Sequence, residues 1–174
     1  YVRTFGLPIV ISNCCNNYGP RQHPEKLIPK IVFNIQNNLN IPIYAKGLNS
    51  REWIYVKNHC VALLTIFKKG IAGESYNVGS GKNLKNLEIA KTLLKLLKNK
   101  KRQIKSKILF VKDRPGHDFR YALNSTKIRK KLGWKNDISI RKGLSNTVNW
   151  YLNNKKYYRN NNRKNFTKRF GVLK

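Results

Sequence analysis

Polar side chains hemmed in by Gly or Pro recur along the first 120 residues. Residues 13–20 read Asn-Cys-Cys-Asn-Asn-Tyr-Gly-Pro, residues 24–29 Pro-Glu-Lys-Leu-Ile-Pro, and residues 51–56 Arg-Glu-Trp-Ile-Tyr-Val. Residues 76–79 read Tyr-Asn-Val-Gly, and residues 113–118 Asp-Arg-Pro-Gly-His-Asp. Each string borders an apolar run, which is where an α/β protein places the loops that hold its ligand. The residue types suit an anionic ligand. Arg51 can grip a phosphate through two parallel hydrogen bonds, although in so basic a chain an ordinary surface arginine is a strong rival reading. Lys26 and Leu27 open a predicted helix, where free N–H groups and the dipole favour negative charge; Leu27 can serve the core as well. Asn16 and Asn17 follow a predicted strand, as ligand loops do in parallel sheets, and the plainer alternative is a turn pair satisfying its own backbone. Arg114, Gly116, His117 and Asp118 form a tight loop after another strand. His117, beside Gly and near charged neighbours, is a better candidate than His23 or His59.

Strands and helices in alternation must position these loops. Residues 7–15 form a continuous apolar run, the pattern of a buried parallel strand, and a loop over residues 16–24 follows. Apolar spacing predicts a helix over residues 26–38, with Pro29 in its first turn. Short strands are expected at 41–45 and 53–56, then a helix over 57–69 with Val61, Leu64, Ile66 and Phe67 inward. A strand at 75–78 closes on Gly79-Ser-Gly81. Residues 84–98 carry the clearest amphipathic helix, followed by a basic connection over 100–107 and a strand at 108–111. Helices at 125–132 and about 140–153 complete the pattern, with Ser139 capping the last. Beyond residue 153 periodicity dissolves, which predicts a disordered basic tail over 154–174. The fold class is α/β with some strands in a parallel sheet.

Composition narrows the partners. The formal net charge is +30, from 37 Lys and Arg against 7 Asp and Glu. Such a charge favours polyanions. The lysines, however, are spread over every predicted element, and the abundance of Lys, Asn and Ile reads as compositional drift rather than a nucleic-acid stripe. Of the scarce acids, Glu25, Glu52, Asp113 and Asp118 lie inside the strings above. Cys14, Cys15 and Cys60 have no metal-ligand spacing and fit a reduced, cytoplasmic setting. No apolar run approaches the roughly 20 residues that span a bilayer, so no membrane partner is expected. The chain contains no Met, and is expected to be a piece of something longer.

The strings at 13–20 and 24–29 resemble the extended short-chain dehydrogenase/reductase family, in its nucleotide-sugar branch. Arg-Glu-Trp-Ile-Tyr-Val-x-x-His and Asp-Arg-Pro-Gly-His-Asp-x-Arg-Tyr resemble in particular the 4,6-dehydratases of dTDP-glucose within that branch. The resemblance covers residues 1 to about 153. It implies the last elements of a Rossmann-like NAD(P)-binding domain joined to a smaller substrate-binding α/β domain. It implies substrate contacts at Asn16, Lys26 and Leu27, a strand at Pro42, Ile43 and Tyr44 flanking the thymine base, and phosphate contacts at Arg51 and Asn77. It places Asn17 on the cofactor side and closes the loop of Arg114, His117 and Asp118 on the nucleotide. For Pro42, Ile43 and Tyr44 a plain edge strand is the other reading.

Members of that family take a hydride to NAD from the sugar, eliminate water and return the hydride. The resemblance therefore implies NAD as cofactor, a Gly-rich dinucleotide loop, a Tyr-x-x-x-Lys pair and an Asp-Glu pair. No strand here leads into Gly-x-Gly-x-x-Gly, and Phe5 stands where a Lys would follow Tyr1. No catalytic residue is assigned. The expectation is a C-terminal nucleotide-sugar-binding half, inactive alone, partnered by a missing N-terminal half or by a second copy. Alternatives are another NDP-sugar epimerase, dehydratase or decarboxylase fragment, and a basic nucleic-acid-binding protein.

Overall fold

The computed structural model describes residues 1–100 and 103–159, with side chains placed through Tyr157. In chain order the elements are α1 (Val2–Phe5), β1 (Ile11–Cys14), β2 (Asn16–Tyr18), α2 (Leu27–Gln36), β3 (Ile41–Tyr44), β4 (Ser50–Tyr55), α3 (Val56–Lys69) and β5 (Ser75–Val78). Then come β6 (Asn83–Lys85), α4 (Asn86–Lys98), β7 (Ile108–Val111), β8 (Arg120–Tyr121), α5 (Thr126–Leu132), α6 (Ile140–Asn153) and α7 (Lys155–Arg159). The α/β alternation and the parallel pairing agree with the expected fold class.

β1 pairs in parallel with β5, β3 with β7, and β2 with β4. β4 also takes β6 antiparallel and β8 parallel. β4 is the strand that joins two hydrophobic cores, because successive side chains leave a strand on opposite faces. Trp53 and Tyr55 face the larger core, built from α2, α4 and α6 around Ile28, Ile31, Ile35, Leu93 and Val148. Ile54 faces the smaller one, with Ala62, Ile66, Tyr76, Val78, Ile128 and Trp134. Glu52 shares the Ile54 side and is 1% exposed. Its carboxylate accepts from Gly81 N–H at 2.5 Å and from Leu123 N–H at 2.8 Å, tying β4 to two loops. A Cβ at Gly79 would run into that carboxylate.

Several expectations are corrected. The run over 7–15 becomes a strand only at Ile11–Cys14, and Ile11 is 55% exposed rather than buried. Among the described residues β1 has a partner on one edge alone. In α3 only Ile66 of the predicted inward stripe is buried; Val61, Leu64 and Phe67 point outward. Periodicity marks an apolar face; whether another element covers it is decided elsewhere. The loop expected over 16–24 begins with β2, and β6 precedes the helix at 86–98. The tail starts as a packed turn of helix: Tyr157 meets Trp150 and Tyr151 edge-on, and its hydroxyl donates to the Gln22 carbonyl at 2.9 Å. The rest of the predicted tail, residues 160–174, lies outside the described residues.

Candidate functional site

Beside the larger core lies a cavity of about 390 Å³. The start of α2 brings Glu25, Lys26, Leu27 and Lys30 to it, and β3 brings Pro42, Ile43 and Tyr44. Asn16 comes from β2, Arg51 and Trp53 from one face of β4, Asn86 from the start of α4, and Arg114 and His117 from the loop after β7.

The wall carries both cations and apolar groups. Arg51 is 8% exposed and braced: Nη1 donates to Ser50 O at 2.8 Å and Nη2 to Asp118 O at 2.7 Å. A guanidinium held this way loses little further freedom on meeting an anion. Burial pulls the Lys30 ammonium below its usual pKa, with Glu25 opposing the shift. Glu25 also sits 3.3 Å from Lys26 Nζ. Tyr44, Pro42, Leu27 and Trp53 offer flat or aliphatic surface, and the Trp53 Nε1 donor is buried with no partner among the described residues. Cations next to an aromatic and aliphatic slot suit a molecule with a phosphate at one end and a ring at the other.

The sequence profile of the GDP-mannose 4,6 dehydratase family matches residues 1–147. The chain belongs to this family. It is 44% identical over 161 residues to a dTDP-glucose 4,6-dehydratase of Escherichia coli K12, covering 91% of this chain and 45% of that protein. A dTDP-glucose 4,6-dehydratase of Neisseria meningitidis is 41% identical over 167 residues, covering 92% of this chain and 47% of its own. The structure of DesIV, a dTDP-glucose 4,6-dehydratase from Streptomyces venezuelae solved with NAD and TYD bound, aligns with TM-score 0.82 at 41% identity, covering 90% of this chain and 48% of DesIV. These relatives agree with the resemblance carried by the motif strings. The chain spans about half the length of the relatives it matches.

Of the sequence candidates, the fold gathers Asn16, Lys26, Leu27, Pro42, Ile43, Tyr44, Arg51, Arg114 and His117 around one cavity. Asp118 stands behind it and acts on Arg51 through its carbonyl, its carboxylate being 4.0 Å from Nη2. Asn77 is not brought there. Parallel register sets it opposite Asn13, whose Nδ2 donates to Asn77 Oδ1 at 3.3 Å, and its own amide donates to Asn124 O. Asn17 also lies outside the lining. Its Nδ2 donates to Cys15 O, while Oδ1 is buried without a partner among the described residues.

Four lining residues were not singled out from the sequence: Glu25, Lys30, Trp53 and Asn86. Lys30 is one helical turn past Lys26 and Trp53 shares Arg51's strand face, so both were open to a spacing argument. Asn86 carries no local signal. It reaches the wall because its N–H bonds Asn49 O while Asn49 Nδ2 bonds Asp118 O, a chain of long-range contacts.

The residues present do not make a dinucleotide cradle. The unpartnered Asn17 Oδ1 is a single polar atom, and the sequence has no Gly-x-Gly-x-x-Gly turn. Tyr-x-x-x-Lys spacing does occur, contrary to the sequence expectation, at Tyr151 and Lys155. It is not a catalytic pair: the Tyr151 hydroxyl is buried, bonded to Gln22 O, and pushed above its usual pKa mainly by burial. Among the described residues no cluster of His, Cys, Asp and Glu could hold a metal ion, and no helix is long and apolar enough to cross a membrane. The cysteines are free, and burial with Glu52 nearby pushes the Cys15 thiol up to about 12.

Proposed function

We propose that this chain is the nucleotide-sugar-binding part of an NAD-dependent 4,6-dehydratase converting dTDP-glucose to dTDP-4-dehydro-6-deoxyglucose and water. The convergence of Lys26, Arg51, Arg114 and His117 with Leu27, Pro42 and Tyr44 on one cavity carries the reading. Arg51, Arg114 and Lys26 take the diphosphate, and the β3 residues with Leu27 take the thymine. Residues 1–153 then comprise the last elements of a Rossmann-like domain together with the substrate domain. The described residues lack a dinucleotide cradle and a usable Tyr–Lys pair, so the chain binds nucleotide sugar but does not turn it over alone. Ile11 of β1, with Leu64 and Phe67 of α3, takes the half that carries those groups, and the complete enzyme works in the cytoplasm.

Titration calorimetry of the chain with dTDP, UDP and a short DNA duplex, at low and physiological salt, tests the reading. Selective dTDP binding that persists in salt is expected. Equal affinity for UDP would point to an epimerase or decarboxylase of another sugar nucleotide. Duplex binding that collapses with salt, with no dTDP response, would overturn the proposal in favour of charge-driven nucleic-acid association.

A further inference from the structure

Asp113 stands next to the cavity without lining it. Its Oδ1 lies 2.7 Å from His117 Nδ1 and also accepts from the Arg114 N–H at 2.9 Å. Gly116, at φ +63°, turns the loop so that residues four apart in sequence meet. The His117 side chain is 7% exposed, and its ring meets the edge of Tyr44 at 6.0 Å. The imidazole is thus held by a carboxylate on one side and an aromatic wall on another. Nε2 has no protein partner among the described residues, and His117 lines the cavity.

We propose that Asp113 is a positioning residue that holds His117 by Nδ1 so that Nε2 meets an anionic oxygen of the nucleotide sugar. This deepens the nucleotide-sugar reading and rests on it. The carboxylate fixes the neutral ring as the Nδ1–H tautomer, and on the doubly protonated ring Nε2–H is the donor left to meet a phosphate oxygen. The hydrogen bond from His117 correspondingly holds the Asp113 carboxyl below its usual pKa. Opposing charges face the ring from the other elements. Arg114 lies on its own loop, Arg51 on β4, and Lys26 and Lys30 on α2, while Glu25 and Asp118 offset them in part and the Tyr44 phenol flanks the ring. Asp113 is the one carboxylate in direct contact with the imidazole among the described residues.

The test pairs ligand affinity with tautomer. Affinity for dTDP-glucose, whose diphosphate is esterified at both ends and keeps its charge near neutrality, is measured at about pH 6 and about pH 8 for the chain, Asp113→Asn and His117→Ala. Nitrogen chemical shifts of His117 are recorded in the free chain. We expect about tenfold tighter binding at the lower pH, lost in both variants, with thymidine showing no such dependence. The free chain should show the Nδ1–H tautomer, and Asp113→Asn a mixture, with thermal melts confirming folding. An Nε2–H tautomer in the unsubstituted chain, or an unchanged pH profile in folded Asp113→Asn, would overturn the role of Asp113 and leave the proposed function standing. Failure of the unsubstituted chain to bind at either pH would remove the proposed function itself, and the ligand role of Asp113 with it.

Discussion

The α2 and α3 helices are both amphipathic, yet they end differently. α2 buries Ile28, Ile31, Val32 and Ile35 under α4 and α6, and its first turn opens onto the cavity. α3 buries Asn58, Ala62 and Ile66 but leaves Leu64 59% and Phe67 84% exposed. β1 repeats the contrast: a parallel strand whose Ile11 side chain stays in solvent, where parallel strands are ordinarily covered on both faces. One region of the molecule is a finished core holding a site. The other is a finished surface only if something else lies on it.

The largest test of this contrast is a pair of deletions. Leu93→Ala, in the finished core, should cost about 2–5 kcal/mol in chemical denaturation. Leu64→Ala, on α3, should stay within about 0.5 kcal/mol. Equal costs would show that α3 is already covered in solution, by self-association or otherwise, and sedimentation of the Leu64 variant would distinguish these cases. At the site, Arg51→Ala should weaken dTDP binding by about 100-fold, since it removes a braced guanidinium from a phosphate. Asn77→Ala, in the β1–β5 sheet, should leave that affinity unchanged, and a comparable loss there would mean the ligand reaches past the cavity. On the strand that joins both regions, Glu52→Gln should cost about 1–3 kcal/mol. The amide keeps one acceptor but turns an NH2 toward an N–H donor that the carboxylate had satisfied, and a melt unchanged from the unsubstituted chain would show the loops hold without it.

The sequence made the finished region easier to read than the bare one. Helix periodicity placed α2, α3, α4, α5 and α6 close to their observed ends; the stripes of α2, α4 and α6 are covered by one another, and that of α5 by α3 and β5. The same arithmetic placed Leu64 and Phe67 inward and was wrong, because an apolar stripe records what a helix can bury, not what it meets. Short elements escaped for another reason. β2, β6 and β8 are two or three residues long and exist only through pairing with β4, so no local pattern announces them. At the site, most of the lining comes from recognisable strings, although Glu25 and Trp53 within them were passed over; Asn86 has no string, because its place depends on contacts through Asn49 to Asp118. Asn77, in a string of its own, lies off the cavity lining because register rather than sequence decides its neighbours.

The smallest expected effect concerns acid. One carboxylate in each region is held below its usual pKa: Glu74 by its hydrogen bond and ion pair with Lys127 beside β5, and Asp113 by its hydrogen bond from His117 beside the cavity. A carboxyl depressed on folding contributes stability at any pH above its unfolded value, near about 4, and that contribution is lost as pH falls through the folded value. Both partners of the Glu74 pair are a third or more exposed, so salt should screen most of it. Acid titration of thermal stability should therefore show a shallow fall below about pH 4 that high salt reduces. Lys127→Gln should remove the salt-sensitive portion and leave the portion due to Asp113, because His117 is nearly enclosed and its bond to Asp113 is a direct charge-assisted contact. If Lys127→Gln erased the whole acid dependence, the loop around Asp113 would have to be as solvated as the bare face, and the contrast between the two regions would fail where the site is meant to be most finished.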